Sequence, residues 1–143
     1  NSLRQRKQIN IQLVVIGINR QQKGWYAMYD KNKGFEYEKI AKKYLLNNGY
    51  DIVEENFSCR FGEIDIIASK YSRLHFIEVK GRKNTEYGYP REAVTVTKQK
   101  RIITAAKYYL ICLGSEDVLC QFDVIEIIAD NREINYIENA FWN

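Results

Sequence analysis

The sequence predicts an α/β domain built on one mixed five-stranded β-sheet that is flanked by helices. Residues 35–48 and 97–113 carry apolar residues at helical spacing, whereas five shorter stretches alternate between apolar and polar residues. These elements follow one another as helix, three strands, helix and two strands. A single mixed sheet with a helix on each face satisfies this order.

Length and composition restrict the classes of protein to which this chain can belong. The chain has 143 residues, 45% of them hydrophobic, and a single proline, which is typical of one ordered globular domain. Three cysteines without CxxC spacing and one histidine argue against a zinc site and indicate a reducing, cytoplasmic setting. No apolar run reaches membrane-spanning length, so we expect no membrane partner.

The first predicted helix, residues 35–48, has one apolar face and ends before Gly49. Glu38 lies in its first turn and borders that face. A glutamate in a first turn is ordinarily a residue that stabilises the helix dipole. The apolar face comprises Tyr37, Ile40, Ala41, Tyr44 and Leu45.

Two neighbouring antiparallel strands, residues 61–68 and 74–80, carry charges where a core strand normally carries none. Side chains two residues apart lie on the same face of a strand. Glu63 is therefore placed beside Asp65, and the second strand carries Glu78 and Lys80 on one face. A half-solvated hairpin is the ordinary interpretation of such a pattern.

Apolar residues on both faces of these strands argue against a solvated face. Ile64 and Ile66 are predicted to cover one face of the first strand, while Ile67 follows Asp65 on the other. Buried acids are costly unless they are paired, hydrogen-bonded or bound to a metal. Because Mg²⁺ is commonly held by one or two carboxylates with phosphate and water, the pattern predicts a magnesium site beside a lysine.

The other three strands are predicted from alternation alone. Residues 52–57 precede the acidic pair, and residues 121–129 and 133–137 complete the sheet. Asp123 lies in the fourth of the five strands, and we interpret it as structural.

The second predicted helix, residues 97–113, covers the other face of the sheet. Gln99 precedes the buried Ile103 by one turn and is placed to face the acidic site. Residues 81–92, before this helix, form either a mobile lip for a substrate or a plain crossover loop. The predicted buried residues of the helix are Ile102, Ile103, Ala106, Leu110 and Leu113.

The positive charge of the chain is segregated. The net charge is +4, yet residues 80–107 hold eight Lys or Arg against two acids, and residues 1–33 hold seven against one. Clustered positive charge beside a group of acids suits a phosphate backbone delivered to a metal site, although a solvated helix face is the alternative. The candidate nucleic-acid-binding residues are Arg82, Lys83, Lys98, Lys100 and Arg101.

The ordered set of residues from Gly34 to Phe141 resembles a family of nucleases. Asp65 followed by Glu78-Val79-Lys80 resembles the D…(D/E)-x-K signature of the PD-(D/E)XK superfamily, with Ile64 where a proline is often found. The wider pattern resembles the YraN-like family of predicted bacterial endonucleases, which is similar to archaeal Holliday-junction resolvases. Its further matching positions are Gly34, Glu38, Ala41, Gly49-Tyr50, Asn56-Phe57, Gly62-Glu63-Ile64, Arg82, Lys98-Gln99, Phe122-Asp123-Val124 and Asn139-Ala140-Phe141.

The resemblance implies a restriction-endonuclease-like core over residues 34–143. The implied activity is that of a metal-dependent endonuclease, a hydrolase that cuts phosphodiester bonds in DNA of branched or otherwise structured form. Mg²⁺ is the implied cofactor, with Mn²⁺ as a substitute. Likeness to the resolvases also implies a homodimer.

The resemblance also assigns roles to individual residues. Asp65 and Glu78 are expected to hold the metal, and Glu38 to complete the set, because resolvase-like relatives use a glutamate from this helix. Lys80 is expected to position the attacking water and to steady the transition state. Gln99 is expected to position water or phosphate.

Two other functions compete with the nuclease interpretation. A non-catalytic nucleic-acid-binding module would keep the fold and the basic segment but would have no need of buried acids. A metal-dependent hydrolase of small phosphate esters would need no extended positive surface. The acids and the basic segment together favour the nuclease.

Residues 1–33 are interpreted as an N-terminal extension that the resemblance does not reach. Met28, the only methionine, stands just before the matching region. We interpret residues 1–27 as vector-derived or upstream-translated. The alternative is a genuine arm that packs on the domain or on a second subunit.

Overall fold

The computed structural model describes residues 36–84, 94–115 and 117–142. The predictions for residues 1–33 and for most of the loop before the second helix lie outside the described residues. The described elements follow in the predicted order: α1 (Tyr37–Asn47), β1 (Asp51–Cys59), β2 (Gly62–Lys70), β3 (Arg73–Arg82), α2 (Val96–Leu113), β4 (Cys120–Ile128) and β5 (Glu133–Phe141).

The five strands form one mixed sheet in the order β1-β2-β3-β4-β5. Strands β1, β2 and β3 pair antiparallel, β3 pairs parallel with β4, and β5 pairs antiparallel with β4. A parallel pair requires a long crossover connection, and α2 lies within it. The predicted α/β fold with a mixed five-stranded sheet and flanking helices is therefore confirmed.

Two apolar clusters fix one helix to each face of the sheet. On one face, Ala41 and Leu45 of α1 are fully buried in a cluster with Ile77. On the other, Ile102 and Ala106 of α2 lie in a second cluster that contains the aromatic residues Phe76, Tyr109, Phe122 and Phe141.

Local sequence explains where the helices begin and end. The Thr95 side chain accepts a hydrogen bond from the Lys98 backbone N–H at 3.2 Å and so caps the start of α2. Gly114 ends that helix in the left-handed conformation, with φ of 67°. Gly49, with φ of 83°, follows α1 at the predicted position.

The prediction that Ile64 and Ile66 share a face is wrong. Ile64 packs in the cluster beneath α2, whereas Ile66 packs in the cluster beneath α1. The pairing of β2 with β3 begins only at Ile66, opposite Ile77. The segment before Ile66 therefore does not follow the β3 ladder, and simple alternation fails there.

Strand β3 also continues beyond its predicted end at Lys80. Gly81 and Arg82 still pair with β4, opposite Ile127 and Ile128, instead of starting a loop. No helix in the described part of the chain has the length and hydropathy needed to cross a membrane.

Asp123 is fully buried and acts as a hub for hydrogen bonds, which agrees with the structural role predicted for it. His75 Nδ1 lies 2.7 Å from Oδ2, the Gln121 amide donates to Oδ1 at 2.9 Å, and the Asn139 backbone N–H also donates to Oδ1 at 2.9 Å. The Tyr136 hydroxyl donates to Oδ2. These bonds tie β5 to the centre of the sheet.

Candidate functional site

Asp65 and Glu78 lie side by side where β2 and β3 separate. The last residues that pair are Ile66 and Ile77, so neither acid takes part in the ladder between these strands. The Val79 backbone N–H instead donates to Asp65 Oδ2 at 2.8 Å. The two carboxyl groups are close enough to share a hydrogen bond. The structure thus brings together the two acids that the sequence predicts.

Two ammonium groups converge on the buried carboxylate of Glu78. Lys98 Nζ, from the first turn of α2, lies 2.5 Å from Glu78 Oε1. Lys80 Nζ, two residues along β3, lies 3.5 Å from the same oxygen. The Glu78 residue is only 3% exposed, so these cations offset a charge that would be costly alone.

This grouping alters the ionisation of its members. Burial, reinforced by repulsion from Glu78, raises the pKa of Asp65 to about 7. Burial and the neighbouring Lys98 ammonium lower the pKa of Lys80. Burial opposes the charge of Lys98 as well, but its hydrogen bond to Glu78 prevails and raises its pKa. Perturbed groups of this kind are typical of functional sites, although structural ion pairs also produce them.

Glu38 approaches the acidic pair from α1. Partial burial of its carboxylate, countered by a hydrogen bond with Asn56, raises its pKa, and repulsion from Glu55 and Glu78 adds to the increase. Glu38 is nevertheless an exposed residue of the first turn of the helix. Its carboxylate is close enough to be repelled by Glu78, but Glu38 is not buried with Asp65 and Glu78.

A glycine fixes the position of the helix that carries Glu38. A Cβ atom added to Gly81 would lie 2.2 Å from ring atoms of Tyr37. The start of α1 therefore rests directly on the β3 backbone, one residue beyond Lys80. Only glycine permits this approach.

The structure does not connect Gln99 to the acidic pair. Its side-chain amide donates to the Val94 carbonyl at 3.0 Å and thereby supports the start of α2. Among the described residues, no hydrogen bond joins Gln99 to Asp65, Glu78 or Lys80. Its predicted role in positioning water or phosphate stays a prediction.

The predicted nucleic-acid-binding residues differ in their exposure and in their contacts. Lys100 and Arg101 are exposed on α2, and Lys83 is exposed just after β3. Arg82 is half-buried at the end of β3. Lys98 differs from the others because its ammonium is engaged with Glu78, and it belongs to the acidic site as much as to the basic surface.

Sequence reasoning missed two residues near the site. It assigned Lys98 to nucleic acid alone, because the approach of α2 to β3 has no local signal. It did not consider Glu126, an almost fully buried acid within the apolar run of β4. The test that singles out Asp65, an acid between apolar residues, would have found Glu126 too.

The described residues contain no group of three or more His, Cys, Asp or Glu side chains arranged to hold a metal ion. Mg²⁺ needs only one or two protein carboxylates, since water and substrate phosphate supply the remaining ligands. Asp65 and Glu78 are hard oxygen donors whose mutual repulsion a cation would relieve. This donor set fits Mg²⁺ or Mn²⁺.

Comparison with known proteins places the chain in a family. Residues 37–127, which span α1 to β4 and include every residue of the acidic site, match the family described as "Uncharacterised protein family UPF0102". The chain belongs to UPF0102. This is the YraN-like family that the sequence motifs indicate, so that part of the prediction is confirmed.

Individual UPF0102 proteins are similar over most of the domain. The chain is 46% identical to a UPF0102 protein of Clostridium perfringens over 117 residues, covering 79% of this chain and 96% of the relative. It is 45% identical over 114 residues to one of Clostridioides difficile, covering 80% and 100%. A UPF0102 protein of Chlorobium phaeobacteroides is 52% identical over 96 residues, covering 67% and 76%.

Proposed function

We propose that this UPF0102 protein is a metal-dependent endonuclease of the PD-(D/E)XK superfamily that hydrolyses phosphodiester bonds in DNA of branched or structured form. One observation carries the proposal. The adjacent carboxyl groups of Asp65 and Glu78 meet the ammonium of Lys80 at a break in the sheet. A protein that needed only a stable core would gain nothing from burying two repelling acids.

The acids are suited to hold Mg²⁺, with Mn²⁺ as a substitute. Asp65 and Glu78 would ligate the ion, and Glu38 would contribute through water or by direct approach. When bound, the ion would supply Lewis-acid stabilisation to the phosphoryl oxygens. The Val79 N–H fixes the orientation of the Asp65 carboxylate before any ion arrives.

Lys80 has the properties of a group that acts on the phosphate. Its ammonium lies beside Glu78, is only partly exposed, and has a lowered pKa because of burial and the nearby Lys98. It would orient the attacking water and offset the charge that builds on the phosphate in the transition state.

Charge and cysteine content support the remaining features of the proposal. Lys100 and Arg101 are exposed on α2 and Lys83 is exposed just after β3, where they would bind the phosphate backbone. All three cysteines are free, which accords with a reducing, cytoplasmic setting. A homodimer is proposed from resemblance to the resolvases alone, and sedimentation as a monomer at working concentration would refute it.

A non-catalytic nucleic-acid-binding module is the second candidate, and one contact favours it. Lys98 pairs with Glu78 at 2.5 Å, which already neutralises the acid without a metal. In such a module the acids would serve only to anchor α2 to the sheet. Cleavage would then be absent under all conditions.

The endonuclease and the non-catalytic binding module lead to different expected results for Lys80→Ala. If Lys80 acts in the chemical step, the variant should lose Mg²⁺-dependent cleavage by about a hundredfold or more while keeping most of its affinity for DNA. The reason is that a single cation contributes only a fraction of the attraction to the phosphate backbone. Single-turnover cleavage and binding should be measured on single-stranded, duplex, flapped and four-way DNA with Mg²⁺ and with Mn²⁺.

Lys107→Ala is the matched control, because it removes one exposed lysine farther along α2. It should cleave at the wild-type rate. The nuclease proposal fails if the wild type binds DNA and metal but cuts no substrate in this set. RNA versions of the same substrates determine which nucleic acid is cut.

A further inference from the structure

Glu126 is a buried acid that the proposed chemistry does not use. The residue is 1% exposed, and its Oε1 atom has no hydrogen-bond partner among the described residues. An ionisable group left in this state costs free energy. Its neighbours along β4, Ile125 and Ile127, are apolar and fully buried.

Strand register places Glu126 next to Lys80. The two residues are paired in the parallel ladder between β3 and β4. Paired residues on neighbouring strands lie about 5 Å apart and point to the same face. Phe76 and Phe122, which lie an even number of residues from Lys80 and Glu126, both pack beneath α2. Glu126 therefore shares the α2 face of the sheet with Glu78 and Lys80.

The cations on this face are unevenly distributed. Lys98 and Lys80 both contact Glu78 Oε1, at 2.5 and 3.5 Å. No Lys, Arg or His among the described residues lies within ion-pair distance of Glu126. When a divalent cation takes the oxygens of Glu78, two ammonium groups and the ion compete for one carboxylate. An ammonium group displaced from Glu78 can instead pair with Glu126, which lies on the neighbouring strand.

We propose that Glu126 is a positioning residue that takes the Lys80 ammonium when a divalent cation occupies Asp65 and Glu78. The inference rests on the proposed function, because it assumes that these acids bind the cation. In this arrangement Glu78 holds Lys80 in the metal-free protein, and Glu126 holds it at the side of the bound cation. The Oε1 atom of Glu126, which has no hydrogen-bond partner without the cation, then pairs with the Lys80 ammonium when the cation binds.

A thermal double-mutant cycle tests the pair without any need for activity. Glu126→Gln, Lys80→Met and the double variant are melted with EDTA and with Ca²⁺. Without cation, Glu126→Gln should leave Tm unchanged or raise it, because the buried carboxyl group that it replaces has an oxygen without a hydrogen-bond partner. With Ca²⁺ it should reduce the cation-induced rise in Tm, and this reduction should vanish in the Lys80→Met background. If Glu126→Gln reduces the Ca²⁺-induced rise in Tm by the same amount in the wild-type and Lys80→Met backgrounds, the inference is overturned.

Cleavage kinetics supply the second readout. Glu126→Gln should lower kcat by about a hundredfold with KM unchanged, the scale expected when a reacting group is misplaced by about 1 Å. Glu126→Asp, which keeps the charge, should recover part of that loss. Glu138→Gln, an exposed acid on β5, is the control and should match the wild type.

The outcomes separate this inference from the function on which it rests. A wild type that shows neither a Ca²⁺-induced shift in Tm nor cleavage refutes both. If the wild type shows both and Glu126→Gln matches it in both, the inference alone fails. If the wild type binds Ca²⁺ but cuts nothing, the thermal cycle still decides whether Glu126 receives Lys80.

Discussion

At the scale of single residues, the ionisation of Asp65 links the site to the stability of the fold. Its pKa of about 7 in the folded protein lies well above its value in the unfolded chain, which is near 3.8. Between these values the folded state binds more protons than the unfolded state. The free energy of unfolding therefore falls as pH rises from about 4 through 7, and the site weakens the fold at neutral pH.

Asp65→Asn should remove this pH dependence. Its side-chain carbonyl can still accept from the Val79 N–H, so the variant should be more stable than the wild type at pH 8 in EDTA, by up to about 4 kcal/mol. The difference should shrink towards pH 4. Urea unfolding at several pH values measures it, with Asp130→Asn as an exposed control. Parallel stability profiles for wild type and Asp65→Asn would contradict the prediction.

Asp123 is the opposite kind of acid. Burial opposes its ionisation, but hydrogen bonds from His75 and three further donors prevail and lower its pKa. A depressed folded pKa means that its contribution to stability is present above pH 4 and is lost as pH falls through the folded pKa. Its charge therefore supports the fold near neutral pH, whereas that of Asp65 opposes it.

Asp123→Asn should destabilise the protein by about 3 kcal/mol, because it breaks charge-assisted bonds inside the core. Urea unfolding at pH 7 measures the loss, again against Asp130→Asn. Protein that remains folded should cleave at the wild-type rate, because Asp123 pairs with β3 at Ile77 and takes no part in the Glu78 cluster. Lost cleavage in folded protein would show that this acid is more than structural.

At the scale of elements, the packing of α1 against β3 determines whether Glu38 can reach Asp65 and Glu78. Gly81 lies directly beneath the Tyr37 ring, so the first turn of the helix cannot lift without losing this contact. Gly81 follows Lys80 in the same strand. Strand β3 thus carries Glu78 and Lys80, and at Gly81 it also contacts the helix that carries Glu38.

Gly81→Ala should displace Tyr37 and with it the first turn of α1. An added methyl in a tight contact costs about 1–3 kcal/mol, and we expect this loss together with reduced cleavage. In a Tyr37→Ala background the same substitution should cost little, because the obstructing ring is gone. Urea unfolding measures the free energy of unfolding in both backgrounds. If Gly81→Ala lowers it by the same amount without the Tyr37 ring, the loss comes from the backbone at position 81 and not from contact with that ring.

Sequence reasoning recovers the elements and the acids of the site but not the contacts between distant segments. Asp65, Glu78 and Lys80 follow from acids and a lysine placed at two-residue spacing between apolar neighbours. Lys98 reaches Glu78 only because α2 packs across β3, and the spacing within α2 carries no sign of that approach. Pairing of Glu126 with Lys80 depends on the β3–β4 register, which two chain segments about 45 residues apart determine together.

At the scale of the whole molecule, the basic residues of α2 and the helix α1 lie on opposite faces of the sheet. Lys100 and Arg101 belong to the face that carries Glu78, whereas Lys43 is exposed on α1. A nucleic acid that meets the acidic pair from the α2 side would contact the first two and not the third.

The combined substitution Lys100→Ala and Arg101→Ala should weaken binding to all DNA sequences about equally. Each lost phosphate contact should reduce the slope of log affinity against log salt by about 1. Fluorescence anisotropy over a salt series measures the slope, and Lys43→Ala serves as the control. An unchanged slope would exclude this surface from the interface.

The parallel pairing of β3 with β4 also determines when the site forms during folding. Strands β1, β2 and β3 are joined by short turns, so this meander is closed by local contacts. The β3–β4 ladder joins Ile77 to Asp123 and must close a long loop through α2, which is slow because chain entropy is lost first. The carboxylates of Asp65 and Glu78 are therefore brought together early, and Lys98 and Glu126 join them last. A nascent chain would expose this acidic pair with only Lys80 beside it until α2 and β4 have been synthesised and have packed against β3.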